Sequence, residues 1–268
     1  MAVVRLGAAT AVTRTAAVAG SVALVALALS ACGGDAPDLS EPTGSASVVP
    51  TAPTEARGQL AGLAAAAKDR RMVAFYTYSA PGRADRTVAV TLAGDGSWRI
   101  DVPGSAHGGA VDLAMSAGPD GRVYQCALPS QNWPGSQCVR VGDREHAVPS
   151  KVDPQVQHPF TDWLDVLIDR RAALSVAAVA PLAGARGSCF SLEFTAASVV
   201  TPVDAGIYCF DPDGTLTALV ADFGRLTLAS PPAPAPPSVP LPGPVVAAAA
   251  LTIAAPPPPP TPTASPSA

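Results

Sequence analysis

The sequence predicts an α+β domain: a large antiparallel sheet curved into a half-barrel, helices packed on one face, and hairpins closed by disulfides. Three observations predict it. Short runs of alternating apolar residues, bounded by turn residues, recur between 72 and 230, the period-two signature of half-buried strands. Two segments of helical spacing stand before and between these runs. The resulting order of helix, meander, helix, meander places helices on one face of a sheet. Four cysteines fall into two pairs, Cys126 with Cys138 and Cys189 with Cys209, each bracketing a hairpin.

The chain opens with a segment of another kind. Arg5 and Arg14 make a basic start, no charge occurs over 15–34, and 22–29 form an apolar core. That layout is a secretory signal peptide, residues 1–31. Its end, Leu29-Ser30-Ala31-Cys32, resembles the bacterial lipobox. The resemblance implies that the Cys32 sulfur takes a diacylglycerol and that cleavage leaves Cys32 as the first mature residue. The charge-free stretch reaches the roughly 20 residues a spanning helix needs. Its alanine content, Gly33-Gly34 and the acidic, proline-containing sequence that follows favour cleavage instead. Firm anchoring takes more than one acyl chain, so the lipid on Cys32 would hold the protein at the outer face of the cell membrane. Residues 32–54, rich in Pro, Ser, Thr and Asp, read as a flexible tether.

The domain itself spans 55–230, long enough to bury one core. After a Thr54 cap, Leu60, Leu63, Ala64 and Ala67 share one helical face. Strands follow at "MVAFYTYS", at "TVAVTL" with Val88, Val90 and Leu92 on one side, and, across Asp95-Gly96, at "SWRIDV" with Trp98, Ile100 and Val102 on one side. "AVDLAMSA", "RVYQCAL" and "QCVRVG" complete the first meander. Pro159 and Thr161 open a second helix, with Phe160, Trp163, Leu164 and Leu167 as its stripe. The second meander reads "CFSLEF", "GIYCF", "LTALVADF" and "RLTLA". Residues 231–268 carry no charge and many prolines, which predicts a disordered tail of polyproline II character. Its apolar insert "VVAAAALTIAA" is too short to span a bilayer.

Composition excludes some functions. Net charge is −4, and removing the segment that carries Arg5 and Arg14 makes it −6, which leaves no electrostatic footprint for nucleic acid. With Cys32 assigned to lipid, the other four of the five cysteines form an even set suited to disulfides in an exported protein. No Cys-x-x-Cys spacing supports zinc, and no metal or cofactor is expected. Asp211-Pro212-Asp213-Gly214 starts like a calcium loop but lacks the later ligands, so it reads as a turn. No nucleophile elbow, Ser-x-x-Lys, His-Glu-x-x-His or P-loop occurs. His107, His146 and His158 lie in loop-like sequence and read as surface residues, and no catalytic residue is expected. Trp98 and Trp163 read as core anchors, and Trp133 as an exposed loop-tip aromatic.

A lipobox, a tether, a first helix and a long antiparallel meander interrupted by a helix resemble the Lol-type lipoprotein-carrier architecture. In actinobacteria that architecture includes glycolipid carriers related to lipoarabinomannan transport. The cysteine-closed hairpins "YQC…QCV" and "CFSL…YCF" also resemble those of many lipoproteins of high-GC Gram-positive bacteria. The likeness covers 55–230 and rests on layout. It implies a non-catalytic monomer whose half-barrel holds a lipid or glycolipid in an apolar cavity. Val90, Trp98, Ile100, Trp163, Leu167, Phe190, Leu192 and Phe194 are the residues expected to line it. The alternative is a structural envelope protein whose disordered arms engage cell-wall polymer or protein.

Overall fold

The computed structural model describes residues 53–130, 133–144, 146–161, 163–195 and 203–253. The signal segment, Cys32 and nearly all of the tether lie outside the described residues, as do 254–268.

Helix α1 (Pro53–Asp69) forms where the apolar spacing predicts it. Glu55 in its first turn and Lys68 in its last complement the helix dipole. Ala56, Leu60, Ala64 and Ala67 are buried, and Leu63 packs partly against them. These small side chains let backbone approach. The 211–214 turn meets the helix at Gly214, where φ is +82° and a Cβ would stand 2.3 Å from the Ala67 nitrogen. Only glycine fits there, on both counts.

Among the described residues twelve strands form one sheet. The first meander comprises β1 (Met72–Ser79), β2 (Arg86–Leu92), β3 (Trp98–Ala106), β4 (Val111–Ala117), β5 (Arg122–Ala127) and β6 (Gln137–Asp143). The second comprises β7 (Leu174–Val179), β8 (Ser188–Phe194), β9 (Gly206–Phe210), β10 (Leu216–Ala221) and β11 (Gly224–Leu228). A short β12 (Ala233–Pro234) follows. The order is β6-β5-β4-β3-β2-β1-β11-β10-β9-β8-β7, with β12 beside the start of β1. All pairings are antiparallel, and β1 and β11 join the two meanders at the centre. The ends of this order, β6 and β7, do not pair, so the sheet is open.

Register follows the apolar alternation. Ala74, Val90, Ile100, Met115 and Gln125 lie opposite one another across five strands. They belong to the inner row, and the four apolar ones share one buried core with Phe190, Leu192, Tyr208 and Leu219 from the other wing. A single core reaching both wings requires the sheet to curl around it. The helices and the β6–β7 connection fill the inner side.

Two expected elements differ. The second helix is shorter than its stripe suggested. A 3₁₀ turn at His158–Phe160 is followed by α2, only Leu164–Ile168. Strand β7, "LSVAAV", was not expected; it is rich in alanine, which is depleted in strands. It is an edge strand that buries Val176 alone.

The cysteine pairs sit directly across neighbouring strands. Cys126 opposes Cys138 and Cys189 opposes Cys209, each pair with Cα atoms 4.0 Å apart and disulfide-bonded.

The largest correction concerns the tail. Disorder was expected from 231 onward, but 231–253 form a strap bound to the sheet along its length. Gly94 and Asp95 amides donate to the Pro236 and Pro237 carbonyls, and Cys138 N–H donates to Pro244 O. Leu241 packs beside Tyr124 and the Cys126–Cys138 bridge, and Val245 runs parallel to edge strand β6 at Cys138. The strap then reaches the inner row. Buried Gln125 accepts from Leu251 N (2.7 Å) and donates to Leu251 O and Val152 O (2.9 Å each). Ile253 bridges to Ala106, and both pack with Val111 and Leu113. Proline lacks only the donor, so its carbonyls still serve the amides of a neighbouring chain.

Candidate functional site

The residues expected to line a pocket divide. Val90, Trp98, Ile100, Leu167, Phe190 and Leu192 are all buried in the main core. Trp163 is half-buried, and Phe194, at the end of β8 opposite Leu174 of the edge strand, is 43% exposed. The hollow expected between helices and sheet is almost closed under α2. The cavity touching Trp163, Leu164, Leu167 and Tyr208 measures about 10 Å³. Interiors pack closely wherever side chains can interdigitate, and α1 approaches near enough to allow it.

Larger spaces lie against α1 beside Ser188, Phe210 and Pro212, where about 440 Å³ is open to solvent, and at the two ends of β1–β3. At one end, where β1 finishes and β2 begins, a cavity of about 300 Å³ opens. Tyr78, Val102, Val156, Phe223 and Ile253 give it apolar walls, with Arg83 and Arg86 on the arginine side and Asp153 and Asp222 on the acidic side. Each wall has a structural reason. Tyr78 ends the inner row of β1 and donates its hydroxyl to Phe223 O at 2.7 Å. Arg86 lies over the Tyr78 ring, 4.9 Å from its centroid, and donates to Pro103 O and Gly104 O. Arg83 donates to the same Gly104 carbonyl at 2.6 Å. Burial pulls Arg86 below the usual guanidinium range and pushes the Tyr78 hydroxyl up. The strap supplies Ile253, so the cavity is complete only with the segment expected to be disordered.

Asp153 leads from this cavity to a buried polar cluster that the sequence did not reveal. His158, read as a surface residue, is 2% exposed. Its Nε2 lies 3.0 Å from Asp153 Oδ2 and its Nδ1 lies 2.7 Å from Asp204 Oδ2. The Trp163 ring stacks on the imidazole with centroids 3.3 Å apart. Gln157 donates to Asp153 at 2.6 Å, and Tyr208 donates to Asp204 O at 2.9 Å. Burial alone would lower the histidine, but hydrogen bonds and charge from Asp153 and Asp204 raise it above the ordinary imidazole value. Burial would likewise raise Asp153, yet its bonds to His158 and Gln157 hold it below the carboxylate range. With both ring nitrogens engaged by carboxylates and one face covered, the imidazole is a structural cation. Among the described residues no group of three His, Cys, Asp or Glu is placed to hold a metal.

At the opposite end of the same strands, where β2 finishes and β3 begins, a second cavity of about 140 Å³ is lined by Leu92, Trp98, Phe160 and Leu164 with Lys68, Arg71 and Arg144. Trp98 is a core anchor as expected, 7% exposed, but its indole N–H has no acceptor among the described residues. Trp133, expected to be exposed, is half-buried against the Ala106 cluster beside Leu251 and Ile253. The Asp211–Gly214 sequence is a turn, closed by Gly214 N–H to Asp211 O at 2.9 Å. Cys32 lies outside the described residues.

No protein-family model and no curated protein matches this chain. Among solved structures, that of MucB is similar, with a TM-score of 0.42 and 15% sequence identity. The match covers 74% of this chain and 64% of the MucB chain, so it spans less than two thirds of that protein.

Proposed function

We infer that this domain is a non-catalytic binder of an amphiphilic, lipid-like molecule, exported and held at the membrane through a lipid on Cys32. The observation that carries the reading is the cavity of about 300 Å³ bounded by Tyr78, Val102, Val156, Phe223 and Ile253. Its volume stands at the lower edge of the roughly 300–1,000 Å³ class of small-molecule sites, enough for part of an acyl chain. Apolar walls suit the chain, and the polar groups at Arg83, Arg86 and Asp222 suit a head group. The rival reading, an envelope protein acting through disordered arms, loses support over 231–253, since that stretch is occupied by its own sheet.

Native mass spectrometry of the delipidated protein with added phosphatidylglycerol, beside thermal melts, tests the reading. Wild type is expected to carry one lipid. Ala80→Phe should abolish the adduct with little loss of stability, because Ala80 lines the cavity and is only partly buried, so the ring enters open space. In a filled core the same change costs about 1–3 kcal/mol. A wild type that takes up no lipid, with a strongly destabilised variant, would overturn it.

A further inference from the structure

We propose that Ile253, at the end of the strap, holds the place of a long acyl chain: it covers the deeper half of the amphiphile site and is displaced when a long-chain ligand enters. This rests on the amphiphile reading of the cavity of about 300 Å³, and adds to it the length of chain the site takes.

The inner row of the sheet runs unbroken from that cavity to an apolar seat. Val102, a wall of the cavity, pairs with Leu113 on β4, and Leu113 pairs with Ala127 on β5. Leu113 and Ala127 form a separate buried cluster with Ala106 and Val111. Leu251 and Ile253 of the strap are packed against this cluster and are themselves only partly buried. Ile253 touches both places, since it lines the cavity and packs on the cluster. Swinging it aside joins the two into one longer apolar trough. The cavity alone stands at the lower edge of small-molecule volumes; with the seat added, the site takes a long chain.

The strap is fastened unequally around this point. Gln125 clamps Leu251 from both sides, accepting from its N–H at 2.7 Å and donating to its carbonyl at 2.9 Å. Beyond the clamp, the described residues add Ile253 N–H to Lys151 O at 2.9 Å and a long bond from His107 N–H to Thr252 O at 3.5 Å. Thr252 is exposed and Ile253 half-buried. The clamp is therefore a hinge, and Ile253 a flap. A net hydrogen bond and a buried methylene contribute comparably to stability. A few bonds and one half-buried isoleucine are thus outweighed once a ligand lays more than about eight methylenes along the trough. A shorter chain stays in the cavity and leaves the flap shut.

Ile253 is one of four isoleucines, so δ1-methyl labelling of the whole exported protein gives a simple spectrum, in which Ile253→Val identifies the Ile253 signal. Octanoyl and palmitoyl lysophosphatidylglycerol are titrated separately, with native mass spectrometry recording the adduct. The palmitoyl ligand is expected to move the Ile253 methyl, saturably, to the position of an unpacked isoleucine. The octanoyl ligand is expected to bind and leave that signal in place. Ala106→Cys with Ile253→Cys, oxidised, locks the strap across its bridge to β3. The lock should weaken palmitoyl binding roughly tenfold or more, as losing the burial of even two methylenes implies, and leave octanoyl binding unchanged. No adduct with either ligand would overturn the amphiphile reading, and this proposal with it. A palmitoyl adduct with the Ile253 methyl unmoved, or one that the lock does not weaken, would overturn the displacement alone. The methyl signal decides the question even where the double-cysteine variant fails to fold.

Discussion

His158 shows how one side chain can govern the loop that carries it. The imidazolium sits between two carboxylates in a site closed to water, so removing it leaves Asp153 and Asp204 facing each other uncompensated. His158→Phe is expected to cost about 3–5 kcal/mol, the range for breaking a buried charge pair, as read from denaturant melts. Its pH dependence has two sides. The raised histidine contributes stability that is full below its unfolded value of about 6.5 and is lost as pH rises through the folded value. The depressed Asp153 contributes above its unfolded value of about 3.9 and loses that contribution as pH falls. Stability should therefore peak between roughly pH 4 and 6.5, and the alkaline decline should be absent from His158→Phe; a decline that persists unchanged would assign it to another group. Nothing in the sequence marked this cluster. Asp153 lies five positions before His158 and Asp204 forty-six after it, and neither distance is a period of helix or strand. By contrast the cysteine pairing was legible, because each pair brackets a hairpin whose turn residues fix which positions face each other.

Among the elements, strands with clean alternation were read nearly to their ends, since period two and one buried face are the same fact seen twice. Strand β7 escaped because four of its six residues lack the β-branched or aromatic side chains that mark strands, and only Val176 is buried. The second helix was overread: Phe160, Trp163, Leu164 and Leu167 are spaced for a helix, but a 3₁₀ turn and a histidine cluster divide them. The strap was missed for a chemical reason. Proline density marks a segment that cannot build its own sheet, and says nothing of its power to accept from an existing one. Gln125 is the residue that fastens the strap's far end, so Gln125→Ala should release it, at about 1 kcal/mol for each hydrogen bond lost. Hydrogen exchange would show loss of protection at the Leu251 and Ile253 amides; protection equal to wild type would mean that packing with Ala106 and Val111 suffices.

For the whole molecule, the open sheet sets where a ligand can go. Helices and the β6–β7 connection fill the middle, and among the described residues the larger spaces lie at the ends of β1–β3 and against α1 beside Phe210 and Pro212. Membrane attachment belongs to this scale as well. Cys32→Ala should abolish labelling by a radioactive fatty acid and release the protein to the medium or leave its signal uncleaved; equal labelling of both forms would rule out Cys32 as the acceptor. The strap also bears on how the molecule behaves in a crowd of its own kind. An open sheet offers bare edge amides and carbonyls as a template on which another chain can add a strand. On β6 that edge is taken at Cys138, whose N–H is bound by Pro244 O and whose carbonyl receives Val246 N–H. A covering rich in proline has few amides of its own to offer outward. On the β6 side, at Cys138, it therefore ends the sheet as a selvedge ends cloth.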